Sequence, residues 1–148
     1  ITDLLIPGEN DSEKEIDNMT SWVVKHLGPD IPMHFSAFHP DWKMMDTPHT
    51  PKSTLERARY IALSNGVRYA YTGNVQDFDG QSTYCHSCNE ILIGRDWHQL
   101  SDWNVRFDGN YAGSCASCGE AVAGVFEKHR GNWGRKRVPV KFREKLEA

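Results

Sequence analysis

The chain has 148 residues, 39% of them hydrophobic and 25% charged, which is long enough for a buried core. It has no apolar run of the roughly 18–20 residues that a membrane-spanning helix needs and no signal-peptide pattern, so we expect a cytoplasmic protein. Net charge is −3, but eight of the 17 Lys and Arg lie in residues 127–148. That tail therefore carries +5, and the preceding residues carry −8.

The first predicted elements are a short strand and a capped helix. Residues 2–6, TDLLI, are typical of a buried strand. The helix is predicted to begin after Ser12, because the Ser12 hydroxyl and the Glu15 carboxylate form a capping box, and to end at Gly28. Four apolar residues share one face of this helix: Ile16, Met19, Val23 and Leu27.

Two further strands and a second helix follow. Residues 33–38 and 67–72 are predicted strands. Between them, Thr50 and Pro51 are the predicted N-cap and first residue of a helix that ends at Gly66. Strands and helices that alternate with short connections predict βαβ units and a parallel sheet.

A parallel sheet of three strands is thin, because such strands are normally covered on both faces and paired at both edges. We therefore expect residues 1–74 to form part of a larger α/β layer or barrel. The missing N-terminal half would lie on the same or another polypeptide. From residue 75 the composition changes to Gly, Asp, Asn, Ser and aromatics, which divides the chain into residues 1–74, residues 75–126 and a basic tail at 127–148.

Two short motifs, YCHSCNE at residues 84–90 and SCASCGE at residues 114–120, contain all the cysteines. These are Cys85, Cys88, Cys115 and Cys118. Their C-x2-C-x26-C-x2-C spacing allows four thiolates to form a closed tetrahedral shell, so residues 75–126 are predicted to be a zinc-ribbon-like region with a structural zinc ion. The ion would stabilise this polar region by on the order of 10 kcal/mol.

Two alternatives to zinc stay open, namely two disulfides and a rubredoxin-like iron site. His86 lies inside the first motif and is a further candidate ligand, although four thiolates already complete the shell. Asn89 and Gly119 follow the second cysteine of each motif. Both residue types tolerate the left-handed backbone conformation that such a turn requires.

Polar residues follow the carboxyl ends of the first two predicted strands. Asn10 and Asp11 follow the first, and His39 and Lys43 follow the second within the motif FHPDWK. Ligands of α/β folds bind at this edge, which predicts a binding site there. The alternative is that these residues only form turns and helix caps.

Three stretches together resemble the C-terminal half of the AmmeMemoRadiSam-system radical SAM enzymes, relatives of the pyruvate formate-lyase activating enzymes. They are LLIPGENDSEKEI, HFSAFHPDWKMMDTPHTPKSTLERARYIALSNGVRYAYTGNV and YCHSCN with CASCG. The resemblance covers about residues 2–126. It implies a partial (β/α)6 barrel, with its last two β/α units in residues 2–66 and a trailing strand, followed by the metal-binding appendage.

The resemblance also implies the role of the rim residues. His39 would lie against S-adenosylmethionine, and Asn10, Asp11 and Lys43 would lie on the same rim near cofactor or substrate. Radical SAM chemistry requires a C-x3-C-x2-C triplet that holds a 4Fe–4S cluster, and this chain has none. We therefore expect the chain alone to be inactive and to contribute to a full-length enzyme, which would have its own protein partner or substrate.

The basic tail suggests an alternative function. It interleaves Trp133 and Phe142 with Lys and Arg, a composition compatible with nucleic-acid binding by a stand-alone zinc-ribbon module. The tail could equally pack on the acidic body or stay solvated, and the ribbon itself contains only Arg95 and Arg106. Nucleic acid is therefore the less favoured partner, and no membrane is expected.

Overall fold

The computed structural model describes residues 1–129, so nearly all of the predicted tail lies outside the described residues. In chain order the elements are β1 (Thr2–Leu5), α1 (Glu13–Leu27), β2 (Met33–Ala37), α2 (Lys52–Ser64), β3 (Ala70–Gly73), α3 (Phe78–Gln81), β4 (Thr83–Tyr84), β5 (Ile91–Asp96), β6 (Gln99–Trp103), β7 (Val105–Gly109), β8 (Ala112–Cys115) and β9 (Ala121–Val122). Within this part of the chain, no helix combines the length and apolar character needed to cross a membrane.

The first unit is a parallel sheet in the order β1-β2-β3, with α1 and α2 as its connections. Along its buried face, Leu5 pairs in register with Ala37, and Met33 pairs with Ala70. This face and the two helices form the first core: Leu5, Ile16, Val23, Met33, Phe35, Ala37, Leu55, Ala58, Ala62, Val67 and Ala70. Because side chains alternate along a strand, His34 and Tyr71 point to the opposite face.

The start of α1 confirms Ser12 as the N-cap, since its hydroxyl accepts a hydrogen bond from the Glu15 amide at 3.3 Å. The reciprocal half of the predicted capping box, from the Ser12 amide to the Glu15 carboxylate, is not formed between these two described residues. The predicted cap of α2 is wrong. Pro51 is the N-cap, and the fully buried Thr50 forms hydrogen bonds to the ends of the strands instead. Its hydroxyl donates to the Leu5 carbonyl at 2.5 Å and accepts from the Phe38 amide at 2.9 Å, so it joins the ends of β1 and β2.

The predicted partial (β/α)6 barrel is wrong. The nine described strands divide into three separate three-stranded sheets, and two of these sheets are antiparallel. Parallel pairing stops at β3, after which the chain passes through the one-turn α3 into antiparallel strands. The βαβ pattern reports only how consecutive strands connect, whereas barrel closure depends on strand number and stagger.

The second unit consists of the antiparallel sheets β4-β5-β6 and β7-β8-β9. The stretch EILIGRDWHQL forms the antiparallel hairpin of β5 and β6. This unit shares a second core: Tyr69, Cys85, Leu92, Ile93, Val105, Cys115, Val122 and Phe126. Tyr69 lies next to β3, and its hydroxyl accepts a hydrogen bond from the Ala123 amide at 3.1 Å. This residue therefore joins the second unit to the first.

Candidate metal centre

Each cysteine motif forms a tight turn between two strands. In the first turn the Cys85 amide donates to the Glu90 carbonyl, and the Asn89 amide donates to the Cys85 carbonyl, both at 2.9 Å. The second turn repeats these bonds at 2.8 and 2.9 Å. Asn89 and Gly119 have φ angles of 59° and 79°, which confirms the predicted left-handed positions. The two motifs are thus copies of one structure as well as of one sequence.

The two turns bring four sulfur atoms together. All four Sγ atoms lie within 4.8 Å of one another, with Cys85 and Cys118 at 3.6 Å and Cys88 and Cys115 at 3.7 Å. Sulfurs bound at about 2.3 Å to one tetrahedral ion would be about 3.8 Å apart. A disulfide requires about 2.05 Å, and the four cysteines are free thiols. The cluster therefore has the donor set and spacing for a single metal ion.

Each turn supplies one buried and one exposed cysteine. Cys85 and Cys115 are 2% and 0% exposed, whereas Cys88 and Cys118 are exposed. A hydrogen bond from the Cys118 amide lowers the pKa of Cys115 to about 7. The Glu90 amide lowers the pKa of Cys88, but hydrogen bonds with the neighbouring thiols raise it to about 12. Four negatively charged sulfurs this close together repel one another, so a fully ionised cluster requires a cation.

Contacts around the sulfurs hold the turns together. His86 is not part of the sulfur cluster; its Nε2 lies 3.5 Å from the Glu120 carboxylate of the other turn. Asn104 lies between β6 and β7, and its side chain donates to the Ile91 carbonyl at 2.8 Å. The Asn104 carbonyl accepts from the Ala116 amide at 3.0 Å. Sequence reasoning missed Asn104, whose only signal is a turn-favouring residue between two strands.

The rim residues predicted to bind cofactor lie where β1 and β2 end. Two of them, Asn10 and Asp11, form hydrogen bonds within the loop that follows β1. The Asn10 side chain accepts from the Ile6 amide at 2.7 Å and donates to the Leu4 carbonyl at 3.1 Å. The Asp11 carboxylate accepts from the Gly8 amide at 2.9 Å. These bonds match the turn-forming alternative, so the turn itself accounts for both side chains.

The other two rim residues are exposed on the second loop. The His39 ring lies edge-on to His49 with centroids 5.9 Å apart, and the Lys43 ammonium lies 4.5 Å from the centre of the Trp42 ring. Within residues 1–129, no hydrogen bond or ion pair joins either residue to Asn10 or Asp11. The structure places all four at one edge of the sheet, and their role in cofactor binding stays a prediction.

Comparison with known proteins identifies one informative relative. The chain is similar to an uncharacterized protein of the archaeon Methanocaldococcus jannaschii, with 38% identity over 122 residues. The match includes 82% of this chain but spans only 36% of the relative's length. No family model and no solved structure matches the chain. The comparison places the chain beside a longer protein and assigns no activity to either.

Proposed function

We propose that the four cysteines bind one zinc ion and that this ion is structural. The spacing of the sulfurs carries the proposal, because four thiolates at tetrahedral distances leave no open coordination position for a substrate or water. Two of the sulfurs also belong to the second core, so the ion and the apolar side chains stabilise the same structure. The function of the site is to hold the two antiparallel sheets together, because one turn lies between β4 and β5 and the other lies between β8 and β9.

Iron is the alternative metal for the same four thiolates. Zinc is supported by the closed shell and the paired C-x2-C turns, which are typical of structural zinc sites. The two metals differ in a simple observable, since a ferric tetrathiolate site is coloured and redox-active whereas a zinc site is neither.

Metal analysis of the purified chain tests this proposal. We expect one zinc per chain, no visible absorption band, and loss of the metal in Cys115→Ser. The matched control is His86→Ala, which alters a side chain between the turns that is outside the sulfur cluster and should keep one zinc per chain. Four freely titrating thiols without metal, or a stoichiometric iron content, would contradict the proposal.

We further propose, as a separate point, that this chain corresponds to part of a longer radical SAM enzyme. The support is the sequence resemblance, together with the fact that the matched region is only 36% of the archaeal relative. His39, Asn10, Asp11 and Lys43 would then face S-adenosylmethionine or substrate. The 4Fe–4S cluster and the remaining domain would come from outside this sequence, and the cytoplasmic location stays a prediction.

A longer protein that contains this region and a C-x3-C-x2-C triplet provides the test. After anaerobic reconstitution we expect it to cleave S-adenosylmethionine to 5′-deoxyadenosine, and His39→Ala should weaken cofactor binding. Reconstituted protein that binds no S-adenosylmethionine would refute this second proposal and leave the zinc site untouched. The nucleic-acid alternative depends on residues 127–148, and it too stays a prediction.

A further inference from the structure

A cleft of about 630 Å³ lies between the parallel sheet and the β5–β6 hairpin. Its walls include His34 and Tyr71 from β2 and β3, and Arg95, Trp97 and His98 from the hairpin. Among residues 1–129, no Asp or Glu lines this cleft, although the residues before the tail carry a net charge of −8. A basic and aromatic cleft in an acidic body favours an anionic ligand.

Arg95 is held in place with part of its guanidinium free. Its Nη1 donates to the Thr83 hydroxyl at 2.6 Å and to the Gln81 carbonyl at 3.2 Å, and the group lies 5.6 Å from the Tyr71 ring centre. The three donors on Nε and Nη2 have no partner among the described residues. In residues 1–129, no buried side-chain nitrogen or oxygen lacks a partner, so these donors face solvent. A fixed guanidinium with free donors is suited to a phosphate or carboxylate.

Flat rings lie beside this cation. Trp97 is at the tip of the β5–β6 hairpin and is 44% exposed, so one side of its indole is open to a ligand. The His34 ring stacks on Tyr71 at 4.9 Å with an angle of 28° between the planes. Partial burial, and then the nearby positive charges of the N-terminus and Arg95, lower the pKa of His34. The cleft thus combines one fixed positive charge with surfaces for stacking.

Hydrogen bonds from α3 and the residues beside it hold the hairpin in place. The Gln81 side chain accepts from the Trp97 amide at 3.2 Å and donates to the Val75 carbonyl at 2.7 Å. The Ser82 hydroxyl accepts from the Arg95 amide at 3.1 Å. A cleft whose walls are already fixed loses little entropy when a ligand binds.

We propose that this cleft binds a nucleoside phosphate, with the phosphate on Arg95 and the base against Trp97. The volume falls within the range of small-molecule sites, about 300–1,000 Å³. The side chains of Gln81 and Asn74 are oriented by bonds to the protein backbone rather than towards a base, since Gln81 bonds to Val75 and Trp97 and the Asn74 side chain donates to the Ala37 carbonyl at 3.2 Å. The cleft should therefore bind adenine and guanine nucleotides similarly.

Calorimetric titration of the zinc-loaded, 148-residue chain with AMP, GMP, adenosine and inorganic phosphate tests this proposal. We expect AMP and GMP to bind within about threefold of each other, because stacking tolerates either base. Adenosine and phosphate should each bind at least about tenfold more weakly, since each lacks half of the contacts. Absence of AMP binding at millimolar concentration would overturn the proposal, as would phosphate binding as tightly as AMP.

Two pairs of variants locate the binding. Arg95→Gln and Trp97→Gly should each weaken AMP binding about tenfold, and glycine suits the Trp97 backbone, whose φ is 54°. Arg57→Gln and Trp22→Ala are the matched controls on α2 and α1, and they should bind AMP like the wild type. Zinc content and thermal melting verify that each variant is folded.

Because Trp97 is exposed, the Trp97→Gly variant should fold and can test the proposal even if the Arg95 variant does not fold. Equal binding by Trp97→Gly and the wild type, equal loss in the control variants, or binding of a single-stranded oligonucleotide without AMP binding would each refute the proposal.

Discussion

The two units of this protein are stabilised in different ways. The parallel unit surrounds Phe35, which is completely buried, with aliphatic side chains from the sheet and both helices. The second unit has short strands, and two of its eight core residues, Cys85 and Cys115, are cysteines. Apolar burial contributes roughly 1.5–3 kcal/mol per large side chain, so we expect the first unit to fold on its core alone. We expect the second unit to depend in addition on the proposed zinc ion.

Removal of the metal should reveal the largest difference in stability between the two units. Loss of the ion, by a chelator or by Cys115→Ser, should remove on the order of 10 kcal/mol from the second unit. We expect amide protection to disappear in strands β4 to β9 while α1 and α2 stay protected, as measured by hydrogen exchange with peptide resolution. His86→Ala is the control with the shell intact. Equal loss of protection in the two helices would show a single cooperative body instead.

A cavity in the first core should destabilise the first unit and leave the metal site of the second unit intact. Phe35→Ala should lower the free energy of unfolding by about 3–5 kcal/mol, because a fully buried aromatic ring is removed. Urea unfolding measures this change, and metal analysis should still find one zinc per chain. Tyr60→Ala on the exposed face of α2 serves as the control, since Tyr60 is 72% exposed. Loss of zinc in Phe35→Ala would mean that the second unit requires the first.

The features that could be predicted from the sequence are mostly those formed by residues close together in the chain. The start of α1 depends on Ser12 and Glu15, three residues apart, and each cysteine turn closes within six residues. Such features are visible in the sequence because all of their partners are close in the chain. The convergence of the two turns was also predictable, since four thiolates share one preferred geometry.

Apart from this cysteine cluster, features that depend on distant partners were predicted wrongly or missed. Thr50 has the composition of a helix cap, yet its hydroxyl bonds to Leu5, 45 residues away. Tyr69 was predicted within a strand of the first unit and instead contributes to the second core. The prediction of a barrel was wrong for the same reason, because the alternation of strands and helices does not determine how many strands a sheet will have.

The hydroxyl of Tyr69 gives a direct test of how strongly the two units are coupled. Tyr69→Phe removes the acceptor for the Ala123 amide and should cost about 1–2 kcal/mol, since a backbone donor loses its partner. Faster exchange of that amide, measured by NMR, should accompany the change. Tyr111→Phe is the matched control, because Tyr111 is 61% exposed. An unchanged stability would mean that the contact transmits little between the units.

The smallest expected effect is at the cap of α1, within the first unit. Ser12→Ala should cost about 1 kcal/mol, because the Glu15 amide loses its acceptor. Chemical denaturation monitored by helical circular dichroism measures the loss. Ser12→Asp should restore most of the stability through the same hydrogen bond, and metal content should be unaffected in both variants. Release of zinc by either Ser12 variant would mean that the two units are not stabilised independently.

The repeated turn also dictates an order of assembly. Each turn closes on its own amides, so a nascent chain can present two sulfurs to an ion before β6 and β7 exist. The other pair arrives only after a 26-residue loop has closed, a step whose entropic cost grows slowly with loop length. We expect capture to proceed through a two-coordinate chelate, and release of the ion to retrace the same path.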